Sequence, residues 1–349
     1  MMKDKNIFIR NIYHMLSYVF QTLKEERYKR IGTEEFENTA DLFSKILIIG
    51  AGRQIKQGLV KDYIKQTDTI SSIRGKINIV ESINSQSFIK KQLSCTYDEF
   101  SLNCYLNQII KSTMNILLKS DISRENKKNL KRLLMYFGEV DLIDVKDIDW
   151  KIRFDRNNQT YMMIIGICYL TINGLLQTEN GGNVKLMDFL DDQSMHRLYE
   201  KFILNYYIKE HPEIKASVSQ IKWQLDDDNS FMLPKMQTDV YLEQGNKILI
   251  IDAKYYSHTT QKNFDSHTVH SGNLYQIFTY VKNKQEEVRG NAMEVSGMLL
   301  YARTNESIQP DNDYSMSGNK ISVKTLDLNQ EFNVIKNQLD NIVEDFLFN

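Results

Sequence analysis

The stretch that most constrains the fold is residues 236–256, whose pattern predicts a β-hairpin. Val240 and Leu242 alternate with polar or amphipathic neighbours, as on a half-buried strand. The Gln-Gly-Asn sequence at 244–246 supplies turn residues, and the apolar run 248–251 follows at once. The second strand is therefore predicted to be buried in a sheet.

Three polar residues make this hairpin unusual. Asp239 lies on the first predicted strand, while Asp252 and Lys254 lie two residues apart at the end of the second, on one face. Two carboxylates and an ammonium are costly to bury, and a divalent metal such as Mg²⁺ or Mn²⁺, which takes oxygen ligands, offsets that cost. A lysine beside it would orient or deprotonate water, or stabilise charge on a phosphate. The pattern thus favours metal-assisted phosphodiester hydrolysis; a surface Asp–Lys pair on an edge strand is the alternative.

Asp239 followed by Asp252-Ala253-Lys254 resembles the PD-(D/E)xK nuclease superfamily. Further segments resemble the McrC subunit of the McrBC modification-dependent restriction system: Asn11-Ile-Tyr-His-Met-Leu-Ser-Tyr18, Ile73-Arg-Gly-Lys-Ile77, and Tyr97-Asp-Glu-Phe-Ser101 with Leu106-Asn-Gln-Ile-Ile110. One departure is Thr238, which stands where the superfamily's proline would be. That proline shapes the strand entrance rather than the chemistry. Asp239, Asp252 and Lys254, which carry the chemistry, are all present.

The resemblance implies an α+β protein in two parts. Residues 1–183 would form an N-terminal mixed α/β partner-docking region, and residues 184–349 a PD-(D/E)xK restriction-endonuclease-like domain with a mixed central sheet flanked by helices. The sequence Gln-Thr-Glu-Asn-Gly-Gly-Asn at 177–183 is rich in turn-forming residues and supports a boundary there.

The resemblance also extends the candidate site beyond the hairpin. Glu200 lies on a helix predicted over 192–210, from which related nucleases supply a metal ligand alongside those matching Asp239 and Asp252. Gln276 and Tyr280 are spaced to share one helix face and resemble a Q-x-x-x-Y motif beside the active site of RecB-like nucleases. The expected catalytic set is Asp239, Asp252, Lys254, Glu200, Gln276 and Tyr280.

Three histidines follow the hairpin in a polar stretch predicted to be a loop over 257–271. His258, His267 and His270 could bind metal or relay protons, but no other ligand pattern accompanies them, so an ordinary loop is favoured.

The resemblance implies that this subunit cuts double-stranded DNA carrying 5-methylcytosine and docks on an AAA+ GTPase of the McrB type. GTP would be bound by that partner, not by this chain. Arg74 and Lys76 lie on a strand predicted over 69–80 and are candidates for the partner contact; a solvated sheet face is the alternative. Two other functions remain open: a non-catalytic regulatory subunit of the GTPase ring, and a stand-alone RecB-like nuclease.

The two parts of the chain differ in net charge, and the cysteine content bears on the cellular location. Residues 1–190 carry 28 Lys and Arg against 22 Asp and Glu, a net charge of +6; residues 191–349 carry 16 against 23, a net of −7. Three sparse cysteines and the lack of a signal-peptide or membrane-spanning run predict a cytoplasmic protein without a membrane partner.

The periodicity of the rest predicts one helix or two over 38–66 and helices over 98–137. The stretch 304–318 is predicted to be a mobile loop. A basic cluster within the second helical stretch is more typical of a solvated face than of a DNA contact; it comprises Lys127, Lys128, Lys131 and Arg132.

Overall fold

A computed structural model describes residues 8–36, 38–154, 158–176, 192–227, 229–256, 260–263 and 266–348. Its helices are α1 (Ile9–Val19), α2 (Glu26–Lys29), α3 (Thr39–Gln57), α4 (Ile79–Asn84), α5 (Tyr105–Lys119), α6 (Arg124–Leu134), α7 (Met162–Leu176), α8 (Asp192–Glu210), α9 (Ser271–Glu287) and α10 (Phe332–Val343). Its strands are β1 (Asp62–Ile70), β2 (Lys76–Ile77), β3 (Leu93–Ser101), β4 (Lys215–Ser217), β5 (Gln220–Ile221), β6 (Met236–Gln237), β7 (Val240–Gln244), β8 (Lys247–Lys254), β9 (Thr260–Asn263), β10 (Ser266–Val269), β11 (Glu294–Ala302), β12 (Asn312–Met316) and β13 (Asn319–Leu326). Among the helices of the described residues, none is long and apolar enough to span a bilayer.

The chain divides into two compact units, and the division differs from the predicted 1–183 and 184–349. One unit is Ala40–Leu186; the other joins Met1–Thr39 to Met187–Asn349. The first helix therefore belongs with the C-terminal part of the chain rather than with the N-terminal region. The linker predicted at 177–183 lies outside the described residues.

Polar side chains on α1 explain this joining. Asn11 is fully buried, and its Nδ2 donates a hydrogen bond of 2.8 Å to the carbonyl oxygen of Leu328. The hydroxyl of Tyr18 donates one of 2.7 Å to Glu210 at the end of α8. A buried amide needs such partners, so these contacts tie α1 to segments about 190 and 320 residues away.

The contact between α1 and α10 makes the stability of this unit depend on pH. The His14 ring stacks on Phe332 with centroids 4.4 Å apart, and burial, with the nearby charge of Arg10, lowers the pKa of His14 to about 4. Because the folded-state pKa lies below the unfolded value of about 6.5, stability is full above that value and falls as the pH drops towards 4. Between pH 7 and pH 5 the wild type should lose about 1 kcal/mol more unfolding free energy than His14→Phe, after allowance for partial exposure.

Urea unfolding of the two proteins at both pH values measures this difference. Phe keeps the stacking surface but cannot be protonated, so its unfolding free energy serves as the reference. Equal losses in the two proteins would show that His14 does not titrate in this range.

The unit formed by Met1–Thr39 and Met187–Asn349 contains the predicted mixed sheet with flanking helices. The strand order is β12-β13-β11-β8-β7-β4, in which β8, β11 and β13 run parallel and the outer pairings are antiparallel. The predicted hairpin is confirmed as β7 and β8, and its turn contains Gly245 at φ +58°. Seven of the eight residues of β8 are buried, as expected for a central strand.

A close helix–sheet contact fixes α9 over the hairpin's sheet. A Cβ added to Gly297 of β11 would lie 2.6 Å from Val281 and 2.9 Å from Ile277, both on α9. Only glycine allows this approach, and Ile277 and Val281 join Ile248 and Ile250 of β8 in one apolar cluster. The row of β8 side chains that continues through residues 252 and 254 therefore faces α9.

The expected mobile loop over 304–318 is wrong for part of its length. Residues Asn312–Met316 form β12, which pairs antiparallel with β13 at the edge of the sheet. Four of its five residues are exposed, so no apolar alternation marks this strand in the sequence.

The unit Ala40–Leu186 contains a second, three-stranded antiparallel sheet in the order β1-β3-β2, with helices α3 to α7. The predicted helix over 38–66 is right only as far as Gln57, because the chain continues as the strand β1. Similarly, β3 ends at Ser101 inside the stretch 98–137, before α5 and α6 supply the predicted helices. Six of the nine residues of β1 are exposed, and the only two buried residues of β3 are adjacent, so neither strand carries the apolar alternation on which the prediction depends.

The strand predicted over 69–80 is also mostly wrong. It is divided among the end of β1, a loop, the two-residue strand β2 and the start of α4. Arg74 lies in the loop, with its guanidinium carbon 4.4 Å from the centroid of the Tyr97 ring, and Lys76 lies on β2. Both side chains are exposed.

Candidate active site

The hairpin brings two aspartates together at the end of β8. The antiparallel register pairs Val240 with Ile251, so one step further Asp239 faces Asp252 across the hairpin. The Oδ2 atom of Asp239 accepts a hydrogen bond of 2.9 Å from the backbone N–H of Ala253. Thr238, which immediately precedes Asp239, exchanges hydrogen bonds with the backbone of Ser219 and so fixes the entrance of this strand.

Lys254 lies beside this carboxyl pair. Its Nζ is 2.8 Å from Oδ2 of Asp252, and the two residues are only 7% and 2% exposed. Burial alone would lower the pKa of Lys254, but the Asp252 and Asp239 carboxylates outweigh it and raise that pKa. The amine is therefore held as an ammonium, suited to stabilising negative charge rather than to accepting a proton.

Gln276 and Tyr280 on α9 extend this arrangement. Lys254 Nζ donates to Gln276 Oε1 at 3.3 Å, and Gln276 Nε2 donates to the Tyr280 hydroxyl at 3.0 Å. The i and i+4 spacing places both side chains on the helix face that covers β8. The structure thus brings together five of the six predicted residues. Asp252, Lys254, Gln276 and Tyr280 are linked by successive contacts, and Asp239 faces Asp252 across the hairpin.

The sixth residue, Glu200 on α8, is held by a side chain that the sequence reasoning missed. His196 Nδ1 lies 2.6 Å from Glu200 Oε1, one helical turn away. The charge of Glu200 raises the pKa of Asp239, and His196 acts on Asp252 in the opposite sense, so both act electrostatically on the carboxyl pair. The i, i+4 spacing of His196 and Glu200 is a signal that could have found this pair.

A set of aromatic and amide side chains on the same unit was also missed. Tyr301 lies beside Lys254 in the register between β11 and β8, and its hydroxyl accepts a hydrogen bond of 2.9 Å from Asn273 Nδ2. The Tyr256 ring lies 6.2 Å from that of Tyr301 and 6.1 Å from that of His196. These residues have no motif spacing, because Tyr301 lies on β11, Asn273 on α9 and Tyr256 in the segment that follows β8.

The predicted histidine loop is replaced in part by the two-stranded sheet of β9 and β10. His267 lies on β10, and His270 immediately precedes α9 with its ring 5.5 Å from that of Tyr256. His258 lies outside the described residues.

The electrostatics of the carboxyl pair favour a cation. Burial, together with the charges of Asp252 and Glu200, raises the pKa of Asp239 to about 7, and burial also raises the pKa of Asp252. Oδ2 of Asp252, although ion-paired with Lys254, has no well-aligned hydrogen-bond donor among the described residues. Within those residues no three His, Cys, Asp or Glu side chains are arranged as a complete metal cage. Two crowded oxygen donors that leave positions open match the way proteins hold Mg²⁺.

Comparison with known proteins gives the family. The sequence matches the family described as McrBC 5-methylcytosine restriction system component over residues 3–302. The chain belongs to this family. It is 27% identical over 354 residues to the type IV methyl-directed restriction enzyme EcoKMcrBC of Escherichia coli K12, covering 99% of this chain and 100% of that relative.

Solved structures of the family show weaker similarity. The refined half-complex of Thermococcus gammatolerans McrB AAA+ hexamers with bound McrC matches with a TM-score of 0.46 and 16% identity, over 95% of this chain and 76% of the other. The cryo-EM structure of the McrBC complex from that organism matches with a TM-score of 0.43 and 17% identity, over 59% and 60%. These similarities add nothing to the family assignment, which rests on the sequence.

Proposed function

We propose that this chain is the endonuclease subunit of a GTP-dependent restriction system that cleaves DNA containing 5-methylcytosine. The observation that carries the proposal is the meeting of Asp239, Asp252 and Lys254 at the end of a buried hairpin, with Lys254 Nζ 2.8 Å from Asp252. A PD-(D/E)xK nuclease needs two acidic residues and a lysine placed in this way on a mixed sheet. Membership of a 5-methylcytosine restriction family supports DNA as the substrate.

Asp239 and Asp252 are the proposed ligands of Mg²⁺, with Mn²⁺ as a substitute, and Glu200 is the third carboxylate of the site. When bound, the cation would supply Lewis-acid stabilisation to the scissile phosphate. The fit rests on the Oδ2 atom of Asp252, which has no aligned donor among the described residues, and on the pKa of Asp239, which burial and then the neighbouring carboxylates raise. A bound cation would give that oxygen a partner and offset the cost of burying the two charges.

The remaining side chains have positioning and electrostatic roles. The Lys254 ammonium would stabilise charge that develops on the phosphate and orient the attacking water. Gln276 fixes that ammonium through its Oε1, and Tyr280 fixes the orientation of the Gln276 amide. His196 fixes the position of the Glu200 carboxylate through the contact of its Nδ1 with Oε1.

The proposed partner is an AAA+ GTPase of the McrB type, which binds the GTP and recognises the modified base. In the Thermococcus assembly, McrC is bound to McrB AAA+ hexamers. The unit Ala40–Leu186 has apolar side chains that are exposed around β2 and α4, among them Ile79, Val80 and Ile89 at 66%, 73% and 69%. An exposed apolar group of this kind is typical of an interaction surface, and Arg74 and Lys76 lie beside it as candidate contacts.

The test is cleavage of a plasmid containing methylated cytosine, with this chain, its AAA+ GTPase, Mg²⁺ and GTP, and with each component omitted in turn. The proposal expects cutting only when all four are present. Cutting by this chain and Mg²⁺ alone would replace it with a stand-alone nuclease. GTP hydrolysis that is stimulated without any cutting would replace it with a regulatory subunit.

Binding of the metal should be visible as thermal stability, independent of activity. In EDTA at pH 8, Asp239→Asn should melt about 2–4 °C above wild type, because the amide removes one of two buried like charges at constant shape. Adding Mg²⁺ should raise the Tm of the wild type and leave that of Asp239→Asn nearly unchanged, because binding to the folded state stabilises it.

The matched control is Asp226→Asn, the same change on an exposed turn of this unit. Its Tm should follow the wild type in both buffers. A Mg²⁺ shift of equal size in wild type and Asp239→Asn would remove Asp239 from the proposed ligand set.

A further inference from the structure

The most concentrated positive charge in the described residues lies on α6. Five basic residues on this helix form no salt bridge with any described residue: Arg124, Lys127, Lys128, Lys131 and Arg132. Together with Met135 they line one shallow groove of about 410 Å³. We call these five residues the α6 basic face. Four of them are exposed and Lys127 is half-buried.

The opposite side of α6 anchors it to its unit. Ser123 caps the helix by accepting a hydrogen bond of 3.3 Å from Asn126 N, and Asn126 Nδ2 donates one of 2.7 Å to Asp41. Leu130, one turn later, is fully buried. The basic residues follow one another at intervals of three, one, three and one, so they share the face directed away from these anchors.

This arrangement is unfavourable for a helix with no anionic partner. Cations three and four residues apart repel, and the one carboxylate on this helix, Glu125 in its first turn, forms no ion pair with them in the described part of the chain. Arg124 and Arg132 are eight residues apart, so five charges are distributed along about 12 Å of helix axis. Duplex DNA carries one phosphate charge per about 1.7 Å of its axis, a comparable density of the opposite sign.

The distribution of charge between the units gives a second reason. Residues 40–186 contain 21 Lys and Arg against 15 Asp and Glu, a net charge of +6, whereas the rest of the chain contains 23 against 30, a net of −7. The unit that carries the candidate active site is therefore acidic, although its proposed substrate is a polyanion. The net positive charge suited to retaining such a substrate lies in the unit Ala40–Leu186, which contains α6.

We propose that the α6 basic face binds the phosphate backbone of duplex DNA without reading its sequence. The proposal rests on the proposed function, because that function supplies DNA as the substrate. From the sequence alone the cluster is more typical of a solvated face. The structure adds three observations: the five side chains form no salt bridge with a described residue, they share one face of the helix, and they line one groove.

The test compares two charge-neutralising double variants of the full chain in binding to a duplex oligonucleotide. Lys128→Gln with Lys131→Gln changes the centre of the α6 basic face. Lys90→Gln with Lys91→Gln removes the same charge from an exposed turn of the same unit. Fluorescence anisotropy in EDTA, from about 50 to about 200 mM salt, gives the affinity without cleavage.

The α6 variant should bind more weakly, and the slope of log affinity against log salt should become shallower by about 2, because each lost phosphate contact removes about 0.9. Across that salt range the wild type should lose about tenfold more affinity than the variant. The control variant should follow the wild type. An α6 variant with unchanged affinity and slope, or a control that loses as much, would overturn the proposal.

A second measurement separates DNA from an acidic protein surface as the ligand. Stimulation of GTP hydrolysis in the AAA+ partner should be the same for wild type and the α6 variant. Loss of stimulation with unchanged DNA binding would reject the proposal in favour of a partner contact. Because binding is measured without cleavage, failure of the nuclease assignment and failure of this inference give different results.

Discussion

The Asp252→Asn variant, assembled with the AAA+ GTPase, should lose DNA cleavage by at least about 10³-fold while GTP hydrolysis by the partner continues. Asn has the shape of Asp but no charge, and Asp252 is the most deeply buried member of the carboxyl pair, at 2% exposed. The substitution removes the charge of one proposed metal ligand and leaves the Lys254 ammonium without its 2.8 Å partner. The measurement is the rate of plasmid cutting and of GTP hydrolysis in the same reaction.

Glu243→Gln is the matched control for this change. It removes a carboxylate from the same hairpin, but Glu243 pairs with the exposed Lys215 at 3.2 Å, away from the end of β8. Both cutting and GTP hydrolysis should therefore be retained. Full cutting by Asp252→Asn would show that the hairpin is structural and that this chain regulates the GTPase without cleaving DNA.

The elements that the sequence could predict are those in which buried apolar residues recur at the spacing of a helix or a strand. β8 is buried along seven of eight residues, and α8 and β11 likewise present apolar residues to the core, so their positions follow from hydrophobic pattern. In contrast, β1 and β12 are exposed over most of their length and are held by backbone pairing. Backbone hydrogen bonds do not require apolar side chains at regular spacing, so the sequence does not predict either strand.

The predicted division after residue 183 lies close to the one after Leu186, but the assignment of residues 1–39 to the N-terminal region differs from the structure, for another reason. Residues rich in glycine and asparagine mark where a chain can turn, but they do not say which segments pack together afterwards. The contacts that place α1 with the C-terminal part include the hydrogen bond of Asn11 to Leu328 and the ring stacking of His14 on Phe332. Such contacts join residues more than 300 positions apart and follow from no local pattern.

In the candidate site, too, local spacing could be predicted and contacts between distant segments could not. Asp239, Asp252 and Lys254 could be placed because a hairpin fixes their geometry, and Gln276 and Tyr280 because helical spacing does. His196 was missed because its i, i+4 spacing from Glu200 indicates a contact between the two side chains but does not by itself indicate a functional site. Its significance depends on Glu200 acting electrostatically on Asp239, which only the folded chain shows.

Lys254→Met should separate the catalytic use of the lysine from its structural use. Cleavage by the complex should fall by about 10²–10³-fold, the usual loss on removing one preorganised donor to a charge that develops in the reaction. The variant should also melt below wild type in EDTA, because Asp252 then keeps a buried charge with no cation beside it. Cutting rates and thermal melting of the purified chain give the two results.

The double variant Asp252→Asn with Lys254→Met separates the loss of cleavage from the loss of thermal stability. Removing both charges should restore much of the Tm lost in Lys254→Met, because no unpaired buried ion remains, while cleavage should stay absent. Lys247→Met, at the opposite end of β8, is the control and should leave cutting unchanged. Cleavage restored together with stability in the double variant would mean that Lys254 acts only by holding the hairpin together.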